Sequence, residues 1–119
     1  MMFTISMALM EFMEEWKKIN MFATITMMEF EQAIKKEKAN VIDVREDYEF
    51  EEGHIPGALN LPMSTFLKNI DQLEKFSHYY VVCYSGARSD VAARYLDKQG
   101  YNVTNILGGM SVYKGQIEI

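Results

Sequence analysis

The apolar positions of this chain follow two alternating rhythms: short β-branched runs, and stretches spaced as on one face of a helix. Leu9, Phe12, Met13, Trp16 and Ile19 fall at helical spacing and predict an amphipathic N-terminal helix within residues 1–21. From Phe22 onward the signals become regular. Ala23-Thr24-Ile25 reads as a short strand, and Thr26-Met27-Met28-Glu29 as a capping box in which hydroxyl and carboxylate satisfy orphan helix amides. The helix opened there carries Met27, Phe30, Ala33 and Ile34 on one face and is expected to run to about Lys36, before a buried strand at Val41-Ile42-Asp43-Val44.

The pattern then repeats. Gly53, Pro56 and Gly57 punctuate a turn region, Ala58-Leu59-Asn60-Leu61 gives another strand, and Met63 to about Leu73 has helical period. Tyr79-Tyr80-Val81-Val82 is the most β-prone run, and it leads through a short loop into a helix over 89–99 that Gly100 stops. Val103 to Leu107 forms the last strand, Gly108-Gly109 breaks it, and a closing helix is expected from Met110 to about Gln116. Strands alternating with helices predict an α/β domain over residues 22–119, its mostly parallel sheet of about five strands flanked by helices on both faces, with residues 1–21 as an extension.

A chain of 119 residues can bury one core without metal or disulfide staples. No window reaches the ~18 consecutive apolar residues of a membrane span, so no membrane partner is expected. Seventeen acids against twelve Lys and Arg give a net charge of -5, which disfavours a nucleic-acid partner. The N-terminal segment lacks the positive start and small-residue cleavage site of a signal peptide, since Glu11, Glu14 and Glu15 follow its apolar stretch. Its stripe is expected to pack on the domain or to extend upstream of it, while Met side chains beside Trp16 would equally suit an adaptable contact surface. His54 and His78 stand apart from other ligand types, so no metal site is expected.

The chemistry concentrates at Cys83. A lone cysteine excludes an internal disulfide and fits a reducing, cytoplasmic compartment. Cys83 falls where a strand's carboxyl end meets the next helix, whose first amides and dipole favour negative charge. The run Cys83-Tyr84-Ser85-Gly86-Ala87-Arg88-Ser89 can wrap its amides around the sulfur, because Gly86 permits backbone angles that other residues resist. Such a cradle, with Arg88 nearby, would hold the thiol below its ordinary pKa and make it a nucleophile. A core cysteine would explain Cys83 but not the Gly and Arg placed behind it.

Three segments in one order, Val41-Ile42-Asp43-Val44-Arg45-Glu46, Gly53-His54-Ile55-Pro56-Gly57-Ala58-Leu59-Asn60-Leu61-Pro62 and Cys83 to Ser89, together with Leu107-Gly108-Gly109-Met110, resemble the rhodanese family over roughly 23–116. The resemblance implies a doubly wound α/β domain that takes sulfur from a donor such as thiosulfate onto Cys83 as a persulfide and passes it to a thiophilic acceptor. Cyanide is the usual assay acceptor. It also implies that Arg88 and the amides of Tyr84, Ser85, Gly86 and Ala87 bind the donor or the persulfide. The covalent persulfide serves as intermediate, so no cofactor is expected. Asp43, Arg45, Glu46 and His54 belong to the resembling segments and are read as structural first. With no second cysteine, sulfur would leave to an external thiol, cyanide or a partner protein. Two other readings stay open: a non-catalytic interaction module, and phosphatase-like cysteine chemistry, which uses Cys-x5-Arg where this chain has Cys-x4-Arg. Tyr84 and Tyr113 depart from the commoner family pattern, which leaves the donor open between thiosulfate and a protein persulfide, and the sequence assigns no oligomeric state.

Overall fold

Five parallel strands, β1 (Ala23–Thr26), β2 (Asn40–Asp43), β3 (Leu59–Asn60), β4 (His78–Val82) and β5 (Asn102–Leu107), form one sheet in the order β1-β5-β4-β2-β3. The structure is a computed structural model and describes residues 6–12 and 22–119. Because side chains alternate along a strand, neighbouring residues serve opposite faces. Ile42, Val81 and Val103 join Phe66, Ala92, Ala93 and Leu96 in one core, whereas Val41, Val82 and Ile106 join Met27 and Phe30 in the other. The expected two-faced α/β layering is therefore present.

The helices of the domain are α1 (Met27–Ile34), α2 (Asp47–Glu51), α3 (Phe66–Asn69) and α4 (Ala87–Lys98). α1 begins with the expected capping box: Glu29 N–H donates to Thr26 Oγ1 at 3.1 Å and Thr26 N–H to Glu29 Oε1 at 3.0 Å. Two expectations need correction. The stretch from Met63 to Leu73 is broken, with α3 lying between 3₁₀ turns at Met63–Thr65 and Ile70–Gln72. The closing helix is a 3₁₀ turn at Gly109–Val112, ended by extended backbone at Tyr113. The polar run after β2, to which the sequence reading assigned no element, folds into α2.

Residues 7–12 are helical, started by Ser6, whose Oγ accepts from Leu9 N–H at 3.1 Å. Leu9 and Phe12 are exposed there, so the stripe is not packed on the domain at those positions. Met13, Trp16 and Ile19 lie outside the described residues. Among the described residues, no helix is long and apolar enough to cross a membrane.

Asp43 and Arg45 form a buried ion pair at the carboxyl end of β2. Arg45 Nη2 donates to Asp43 Oδ2 at 2.7 Å and to the Gly53 carbonyl at 2.8 Å, while Asn60 Nδ2 donates to the carbonyls of Asp43 and Arg45 at 2.9 Å each. His54 stacks on Phe50 and places Nδ1 2.8 Å from the Phe50 carbonyl. These residues tie β2, β3 and the Gly53 turn together, as a structural reading requires. Arg45→Met leaves Asp43 buried without its partner, and a loss of about 3–5 kcal/mol in folding stability is expected. Urea denaturation checks it, and an unchanged midpoint would contradict the role.

Candidate functional site

Cys83 follows β4 directly and is wholly buried, beneath the exposed Tyr84, Ser85 and Ala87. Burial by itself suits a core cysteine. The surroundings of its sulfur do not, because polar groups converge on it. Gly86 N–H donates to Sγ at 3.0 Å, and Ser89 Oγ lies 3.5 Å from Sγ. Gly86 takes φ +108°, a left-handed conformation that favours glycine, and forms the N-cap of α4. The twelve-residue α4 thus aims its amino end at the sulfur.

Burial pushes the Cys83 thiol up. The Ser89 hydroxyl and the amides of Ser89, Gly86 and Ser85 outweigh that effect, and the net pKa lies below the ordinary thiol value. Ser85, Gly86 and Ser89 turn their amides to the sulfur, and Tyr84 and Ala87 form the exposed rim beside it. Ser89 closes the cradle from the first turn of α4. Sequence reasoning included Ser89 in the loop but gave it no task, although a hydroxyl one turn behind a glycine N-cap is a readable signal.

The loop is held open by the 3₁₀ turn that follows β5. Met110 N–H donates to the Cys83 carbonyl and Ser111 N–H to the Tyr84 carbonyl, each at 2.8 Å. In a trans peptide the C=O and the following N–H point opposite ways. Pulling the Tyr84 carbonyl toward Ser111 therefore turns the Ser85 amide toward the sulfur. Gly109 makes the approach possible, since a Cβ there would sit 2.2 Å from the Cys83 carbonyl oxygen.

Arg88 has a partner that the sequence reading did not include. Its two Nη atoms donate to the two carboxylate oxygens of Glu49 on α2, at 2.6 and 3.1 Å. The hydrogen bonds from Arg88 are the largest influence on Glu49 and hold its carboxyl below the usual range. Glu49 also accepts from Glu46 N–H at 3.0 Å, so it caps its own helix while it grips Arg88. Glu49 carries little signal in the sequence, because α2 is too short to show a periodic face. Two cavities of about 370 and 690 Å³ border α1 and β2, and no residue from 83–89 lines either.

Residues 26–116 match the Rhodanese-like domain family. The chain belongs to that family. It is 32% identical over 95 residues to a protein of Coxiella burnetii named "Thiosulfate sulfurtransferase GlpE", covering 79% of this chain and 89% of that one. It is 36% identical over 96 residues to "Putative sulfur carrier protein YrkF" of Bacillus subtilis, covering 79% of this chain and 52% of the relative, so it spans about half of that protein's length. The solved structure of a rhodanese-like domain protein from Staphylococcus aureus superposes with a TM-score of 0.76 at 35% identity, over 82% of this chain and 98% of the other. Sulfur-transfer chemistry is thus the role that these rhodanese-like relatives support.

Replacing the Ser89 hydroxyl tests the cradle. Ser89→Ala removes a donor to the thiolate, so the Cys83 pKa is expected to rise toward the ordinary thiol value. The pH dependence of iodoacetamide alkylation reads this directly: the inflection should move to higher pH, and an unmoved inflection would remove Ser89 from the cradle.

Proposed function

We propose that this domain is a sulfurtransferase that carries sulfane sulfur as a persulfide on Cys83, from a donor such as thiosulfate or a protein persulfide to a thiophilic acceptor. The observation that carries the reading is the convergence of the Gly86 amide and the Ser89 hydroxyl on a buried sulfur at the end of a parallel strand. In the first step the Cys83 thiolate attacks the outer sulfur of the donor. The donor's S–S bond breaks, sulfite or a thiolate leaves, and Cys83–S–S⁻ remains. In the second step an acceptor thiolate or cyanide attacks the outer sulfur and the Cys83 thiolate departs. The terminal sulfur carries a negative charge between the steps, and the backbone amides of the loop, fixed in advance, are suited to stabilise it.

Cys83 is the chain's one cysteine, so these residues hold no second thiol to resolve the persulfide as an internal disulfide. Transfer therefore ends on an external acceptor. Tyr84, Leu107 and Val112 are exposed beside the loop and supply an apolar border suited to a protein donor or acceptor. The lowered thiol pKa argues against a purely non-catalytic module, which has no need of a nucleophile. The shorter Cys-x4-Arg loop argues against phosphate-ester chemistry. We place the protein in a reducing, cytoplasmic setting, where a persulfide donor and free thiols coexist.

Incubation with thiosulfate, followed by intact mass and thiocyanate release with cyanide, tests the proposal. One added sulfur and turnover are expected for the unmodified protein, with both abolished in Cys83→Ser. Equal turnover by the Ser variant would sink it.

A further inference from the structure

Arg88 lies five positions after Cys83, in the first turn of the helix that aims its amino end at the sulfur, and its fork is already occupied by Glu49. An arginine fork binds a planar or tetrahedral oxyanion through paired N–H groups. Thiosulfate offers such a group in its sulfonate oxygens and approaches as a dianion. An alkyl persulfide offers none, and its single charge sits on the sulfur that enters the amide cradle. The carboxylate of Glu49 stands where a sulfonate would take Arg88. Glu46 adds a second negative charge within reach of the same guanidinium. Two acids thus face one arginine at the mouth of the cradle.

We propose that Glu49 is a specificity-determining residue: by holding both arms of Arg88 it disfavours the dianionic donor thiosulfate and selects alkyl persulfides, carried on a small thiol or on a protein. The inference rests on the sulfur-transfer reading above and narrows its donor class. In the favoured reaction the Cys83 thiolate attacks the outer sulfur of R–S–S⁻, the donor S–S bond breaks, R–S⁻ leaves, and the persulfide charge remains on Cys83–S–S⁻. No oxidant or reductant is consumed, since one S–S bond replaces another.

The backbone supports a fixed rather than incidental Glu49. Its carboxylate accepts both from Arg88 and from the Glu46 amide, and the Glu46 carboxylate in turn accepts from Ser64 N–H at 3.2 Å. The chain of contacts runs from the Cys83 loop through α2 to the turn after β3. A sulfonate arriving at Arg88 must therefore displace a carboxylate that its own helix holds in position.

The test compares rate constants for loading Cys83, read by intact mass, with thiosulfate and with the persulfide of 2-mercaptoethanol, a monoanion that carries no carboxylate, as donors. Glu49→Gln keeps an acceptor for the Glu46 amide but removes the charge. At a separation of about 6 Å in water-like dielectric, one charge changes encounter with a monoanion roughly 3-fold and with a dianion roughly 10-fold. Thiosulfate loading is thus expected to rise about 10-fold in the variant, persulfide loading by no more than about 3-fold, and the gap should shrink as salt is raised. Glu49→Ser gives the same comparison should the Gln variant not fold. A donor ratio that stays constant, or moves toward the persulfide, overturns the proposal. Loading by neither donor in the unmodified protein would overturn the transfer reading itself, a result distinct from an unchanged ratio.

Discussion

The site depends on the approach of the β5–turn backbone to the carbonyls of Cys83 and Tyr84. Peptide planarity makes each carbonyl a lever on the amide behind it. Once Ser111 draws the Tyr84 carbonyl outward, the Ser85 amide has little choice but to face the sulfur. The approach is close enough that only glycine fits at Gly109, which adopts φ +55°. Conversely, β5 can reach the loop because it pairs with β4 in parallel register, Val81 opposite Asn105, so both strands end at the same edge of the sheet. The nucleophile's electrostatics thus depend on strand order as well as on Gly86 and Ser89, which touch the sulfur.

Much of this was legible along the chain. The β-prone run before Cys83, the glycine three positions later and the Gly108-Gly109 pair each have a local cause, and local causes show in sequence. The layering was legible for the same reason, since Val41 beside Ile42 and Val81 beside Val82 must serve opposite faces. The Arg88–Glu49 pair was not, because the partners stand 39 residues apart and α2 is too brief to declare a face. Arg88 looked like an anion ligand when read beside Cys83 alone. The broken helix between Met63 and Leu73 misled for another reason: apolar spacing there suits α and 3₁₀ turns alike, and packing of Phe66 and Leu73 against the core chose the mixture.

The ion pairs on either side of α2 divide two tasks between two arginines. Arg45 is spent internally, on Asp43 and the Gly53 carbonyl, and there it secures the sheet edge. Arg88 is half-exposed and faces the site, so its partner is exchangeable in a way that Asp43 is not. A short helix capped by the same Glu49 that holds Arg88 joins these two regions. Fold stability and the charge at the site mouth are therefore coupled through α2, although they rest on different residues.

Ser89 shows how a buried sulfur can change charge without a rearrangement of the backbone. Its hydroxyl donates to the Gly86 carbonyl at 3.1 Å while its oxygen lies within reach of the Cys83 thiol, an arrangement suited to the neutral S–H. A thiolate has no proton to give and requires the hydroxyl hydrogen instead. Rotation about one side-chain bond supplies it, at the cost of the bond to Gly86. That carbonyl is not left orphaned, since Asp90 N–H already donates to it at 3.2 Å as the first bond of α4. The second donor on Gly86 is therefore the reason that the hydroxyl is free to follow the charge. A residue at position 89 without a rotatable hydroxyl would fit one protonation state of Cys83 and oppose the other.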